Sequence, residues 1–109
     1  MSRQPPPSPP RPRRRSARAS HAWTFLTNHT HVLVCIGRDP DVLLRDIAAQ
    51  VGVTERAVQS IVADLELAGV LRRQRVGRRN RYEFDAAIAL RHPLEGHRTI
   101  GELLAALRA

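Results

Sequence analysis

A mainly α-helical domain with one small β-hairpin, an α+β fold, is what these 109 residues predict. Apolar residues recur at three- and four-residue spacing in four separate stretches, as in helices that bury one face. Between the third and fourth stretches the period falls to two around Tyr82 and Phe84, as in a half-buried strand. Ahead of all this, residues 1–20 are mostly Pro, Arg, Ser and Ala, with no large apolar side chain after Met1. The chain therefore divides once, into a disordered Pro/Arg-rich tail (1–20) and a folded domain (21–109).

In the tail, six prolines within the first twelve residues forbid helix and withhold sheet donors. Nothing there buries enough surface to offset chain entropy. The tail reads either as a basic arm that adds non-specific attraction to phosphates or as a dispensable leader. The first helix begins at Thr27-Asn28, turns Val32, Leu33 and Ile36 inward, and closes at Asp39-Pro40. A second, over Arg45–Val51, faces Ile47, Ala48 and Val51 inward. Gly52-Val53-Thr54 makes a tight turn, and the Thr54 hydroxyl suits the N-cap of the next helix. That third helix spans 55–68, with Gly69 as its stop. Val58, Ile61, Val62 and Leu65 form one stripe on it, opposite Arg56, Gln59, Ser60 and Ala63. Leu67 falls near the polar side, either packing under the next strand or standing as an exposed contact point. Residues 71–84 form a hairpin turning at Gly77-Arg78-Arg79. Thr99 to Glu102 fits a capping box, and Ile100, Leu103, Leu104 and Leu107 stripe a last helix. Trp23 and Phe25 read as packing anchors against the first helix.

Charge narrows the possible functions. All 18 basic residues are Arg and there are 10 acids, for a net charge of +8. Six of those arginines lie in residues 1–20 and six more in residues 72–81, with no acid in either stretch. The basic surface is thus local, and the rest of the chain is mildly acidic. No apolar run reaches the about 18 residues a membrane helix needs, and the N-terminus lacks the apolar core of a signal peptide. The single cysteine, Cys35, forms no internal disulfide, which points to a reducing, cytoplasmic setting. A domain this small has little room for a catalytic cleft. No catalytic activity and no cofactor are expected. His31 and Cys35 share a helix face at i, i+4 but have no third or fourth ligand nearby, so they read as a surface imidazole and a core thiol rather than a metal site. His29, His92 and His97 are scattered.

Residues 44–65 have the spacing of a helix-turn-helix. Ala48 is small where two helices cross, and Gly52 takes the bend. Ile47, Val51, Val53, Val58 and Ile61 face the core. With a basic ribbon directly after it, this segment resembles the winged helix-turn-helix family of bacterial transcription regulators, in particular small MarR-like and ArsR-like proteins. The stretches WTFLTNHTHVLVCI, LRDIAAQVGVTERAVQSIVADLELAGVL and VGRRNRYEF carry the resemblance, which covers residues 23–98. It implies a recognition helix (55–68) in the major groove of double-stranded DNA and a wing (71–84) on the minor groove or backbone. Two features of the family are missing: the long terminal helices through which larger regulators dimerise, and the Cys-x-Cys metal motif. An effector ligand is not implied.

Roles follow from side-chain chemistry. Arg56 and Gln59 project from the first turns of the recognition helix, where Arg pairs with guanine and Gln with adenine; otherwise they are a solvated face. Thr54 and Ser60 suit phosphate. Glu55 either complements the helix dipole or accepts from cytosine. In the wing, Arg78 and Arg79 suit a narrow, electronegative minor groove, while Arg72, Arg73, Arg75 and Arg81 suit phosphates. The alternative is an edge hairpin kept soluble by charge. Four neutralised phosphates predict a salt slope of about −3.6. Ile100, Leu103, Leu104 and Leu107 either fold back on the core or form the face of a homodimer, the arrangement that two half-sites favour. Two other roles compete with regulation by DNA binding: a winged-helix protein-interaction module, and a ligand-gated sensor-regulator.

Overall fold

The computed structural model describes residues 23–108. The predicted tail lies outside them. Among the described residues, four helices and one antiparallel hairpin follow in the order α1 (Asn28–Arg38), α2 (Leu44–Val51), α3 (Glu55–Leu67), β1 (Leu71–Val76), β2 (Arg79–Phe84) and α4 (Ile100–Leu107).

Each boundary has a local cause. Asp39, which precedes Pro40, leaves helical geometry at φ −150°, as the proline ring demands of its predecessor. Its carboxylate then accepts from the Asp41 N–H at 3.0 Å. Gly52 ends α2 in the left-handed region at φ +87°, so that its N–H and that of Val53 both reach the Ala48 carbonyl. Two residues on, the Thr54 hydroxyl accepts from the Ala57 N–H at 3.0 Å and opens α3. α4 starts on a complete capping box, in which Thr99 and Glu102 each accept the other's backbone N–H.

The hairpin pairs Leu71 with Phe84 and runs in register to Val76 opposite Arg79. Arg79 is thus already in β2, and the turn is Gly77-Arg78 alone, one residue shorter than the sequence suggested. Only Gly77 in this turn has positive φ, +65°, the geometry of a two-residue turn whose twist matches the strands. From β2 the chain continues through a short antiparallel contact, where Ala89 bridges Thr99, and on into α4.

The core gathers Ile36 from α1, Ile47 and Ala48 from α2, and Val58, Ile61, Val62 and Leu65 from α3. Leu71 and Tyr82 close it from the hairpin. Ile100 and Leu104 of α4 also belong to it, which corrects the dimer-face reading at these two positions in favour of its alternative, folding back on the core. They bury their own surface within the chain, so the Leu-rich stripe folds back. Leu103 and Leu107 remain half-buried at its edges. Trp23 and Phe25 are likewise corrected. They pack edge-to-face on each other with ring centroids 5.0 Å apart, and at 71% and 91% exposed they anchor nothing on α1. Leu67 is 89% exposed and takes the second of its two readings.

Candidate nucleic-acid interface

Two exposed surfaces are candidates, the outward side of α3 and the hairpin that follows it and packs against it. The buried stripe of α3, with Val58 at 0% exposure, turns its opposite side outward. Thr54, Glu55, Arg56, Gln59 and Ser60 all stand exposed there. Their backbone is held from beneath by four core residues, a rigid base for groups that must meet a partner in fixed geometry. The Thr54 hydroxyl is committed to its capping bond, yet its oxygen still has a proton to donate.

The hairpin sorts its six arginines by strand face. Arg72 lies opposite Glu83 on the outer face and donates to it at 2.9 Å. Arg73 is on the other face, opposite Tyr82, and forks onto Glu66 of α3 with both donors at 3.1 Å. Arg81 stands 3.9 Å from Asp41 in the α1–α2 loop. The remaining three have no acidic partner among the described residues. Arg75 donates only to the Gly77 carbonyl, at 3.1 Å, and Arg78 and Arg79 at the tip are exposed and form no ion pair. The uncompensated positive charge of the wing is therefore concentrated at Arg75, Arg78 and Arg79. Tyr82 lies buried between the hairpin and the helices, and burial raises its phenol above its ordinary value. It packs as a core residue, and its acid–base chemistry is remote from neutral pH.

No family model matches the chain, and no curated protein does. Among solved structures, it is similar to the PcaV transcriptional regulator from Streptomyces coelicolor, crystallised in complex with its natural ligand. The TM-score is 0.50 at 20% identity, covering 86% of this chain and 71% of that one. The chain has a winged helix-turn-helix fold. At this identity the likeness is one of fold.

Other residues singled out in the sequence lie apart from this winged-helix face. His31 shares a hydrogen bond with the Asn28 side chain at 3.0 Å. Cys35 is buried, its thiol raised by desolvation, and donates to Gln50 at 3.6 Å. Among the described residues no three His, Cys, Asp or Glu side chains gather where an ion would sit, and no helix is long and apolar enough to cross a membrane. A groove of about 520 Å³ runs between α1, the last turn of α3 and α4. Leu33, Leu65, Leu67, Val70 and Leu103 line it, and His29 and Asp64 bridge its edge at 2.9 Å. Sequence reading missed both the groove and the acids that hold the wing. Glu83 was accessible to it, because period-two pairing sets that residue opposite Arg72. The others come together only in the fold.

Proposed function

We propose that this chain binds double-stranded DNA in a sequence-specific way and acts as a transcription regulator. α3 enters the major groove, and the wing lies on the adjacent minor groove or backbone. The observation that carries this reading is the set of three arginines without an acidic partner among the described residues, Arg75, Arg78 and Arg79, on a hairpin whose base packs against α3, a helix with an exposed polar face. A solubility role calls for charge spread over the edge strand; here acids neutralise the base of the ribbon and leave the tip bare. In this arrangement Arg56 and Gln59 read base edges, while Thr54 and Ser60 hold phosphate and fix the register. Glu55 complements the positive end of α3.

An electrophoretic mobility shift titration on genomic fragments, run at two salt concentrations, tests this reading. Binding that weakens with salt and prefers some fragments supports it. Absent or salt-insensitive binding refutes it in favour of a protein-interaction module.

A second reading, that a small molecule gates DNA binding, is favoured by the groove of about 520 Å³ against the end of α3. An occupant there would touch Leu65 and Leu67 on the recognition helix itself. A compound that raises the melting temperature of the parent but not of Leu103→Trp, and that alters the mobility shift, would support gating. Homodimerisation stays a proposal on the half-buried Leu103 and Leu107 alone. Sedimentation of the parent against Leu107→Asp tests it.

A further inference from the structure

The hairpin leaves α3 through Gly69 and Val70, whose N–H groups close on the Glu66 and Leu65 carbonyls, both at 3.0 Å, so the backbone fixes where the wing starts and ties further along the strands decide how firmly it is held. Its base is tied on both strands. On β2, the Tyr82 N–H donates to the Pro40 carbonyl at 3.0 Å, and the Tyr82 ring is buried. On β1, Arg73 Nε and Nη2 donate to the two carboxylate oxygens of Glu66, both at 3.1 Å. A two-bond fork of this kind fixes the plane of the guanidinium as well as its distance. The Glu66 side chain is 27% exposed, the least of any carboxylate in an ion pair among the described residues. A carboxylate beside a DNA-binding wing repels phosphate, so its placement there opposes affinity unless it does something else.

We propose that Glu66 is a positioning residue which, through Arg73, locks the wing to the last turn of α3 and so sets where Arg75, Arg78 and Arg79 stand relative to Arg56 and Gln59. Arg73 then serves as a strut and not as a phosphate contact. The consequence for affinity rests on the DNA reading above; the consequence for wing geometry does not.

Two measurements test it. In the first, nitroxide labels are placed on α3 and near the wing tip (Ala63→Cys and Val76→Cys, with Cys35→Ala), and the distance distribution is read in the free protein. The parent should give a narrow distribution, Glu66→Gln a broader or shifted one, and the exchange Glu66→Arg with Arg73→Glu a narrow one again. In the second, binding to a mixed-sequence 24-base-pair duplex is titrated. Glu66→Gln should weaken binding about fivefold despite its gain in positive charge, about 1 kcal/mol and the upper end for a partly exposed pair. The exchanged pair, with unchanged net charge, should recover affinity to within about twofold. Tighter binding by Glu66→Gln, or an unchanged distance distribution, overturns the proposal. If the parent fails to bind the duplex, the DNA reading falls, and the label distances still decide whether Glu66 positions the wing.

Discussion

Replacing both tip arginines together, Arg78→Ala with Arg79→Ala, isolates what the unpaired charge of the wing contributes. Each arginine that neutralises a phosphate releases condensed counterions and steepens the plot of log affinity against log salt by about 0.9. Both side chains are exposed and free of acidic partners among the described residues, so both are available for this. The double variant should therefore show a slope shallower by about 1.8. Between 50 and 200 mM salt the parent should then lose about twelvefold more affinity than the variant. With Arg75 included, the wing accounts for about −2.7 rather than the −3.6 of four contacts. Residues 1–22 carry arginines of their own, but they are common to both proteins and cancel in the difference. Fluorescence polarisation of a labelled 24-base-pair duplex at four salt concentrations gives both slopes. Melting temperatures should match, since neither side chain packs against the core. Parallel slopes would refute the assignment of phosphate contact to the wing tip, however large the loss of affinity.

Three further outcomes are expected. Gln59→Ala should relax preference at one base position by about 1–3 kcal/mol, read by selection from a random duplex pool, with affinity for mixed sequence nearly unchanged. Gly101→Ala should destabilise by about 1–3 kcal/mol in urea unfolding, because an added Cβ would lie 2.7 Å from the Ala86 Cβ and 2.9 Å from the Ala86 carbonyl oxygen. Glu102 is held below its ordinary value of 4.5, first by the Thr99 N–H and then by Arg98. Its contribution is therefore present above that value and lost as pH falls through the depressed one. The melting temperature of Glu102→Ala should trail the parent at neutral pH, and the gap should narrow on acidification. A gap that stays constant with pH would show that the carboxylate charge plays no part in the cap.

Much of the fold was legible because its signals are local. Thr54, Gly52, Gly77 and the Thr99–Glu102 box act within four residues of themselves, and the apolar stripe of α3 is read at fixed angular steps. The exposed face carrying Arg56 and Gln59 follows from that stripe by geometry. The fate of amphipathic segments was not legible. The stripe of Ile100, Leu103, Leu104 and Leu107 looks the same whether it covers its own core or a second chain, and only the path of residues 85–99 decides between them. Trp23 and Phe25 failed for a related reason: large aromatic area favours burial, but burial needs a partner surface, and α1 offers its apolar side to α2 and α3 instead.

The wing shows the same division most sharply. By itself the sequence determined that residues 72–81 carry six arginines and no acid, and that they form a hairpin after a mildly acidic helix. Tertiary structure alone decided which of those charges face outward uncompensated. Glu66 lies on the preceding helix and Asp41 in a distant loop, and neither has a local relation to the arginine it meets. An ion pair forms wherever the fold brings two charges within about 4 Å, a distance that chain spacing does not encode. Composition set the sign of the surface, and packing chose the three arginines left at its tip.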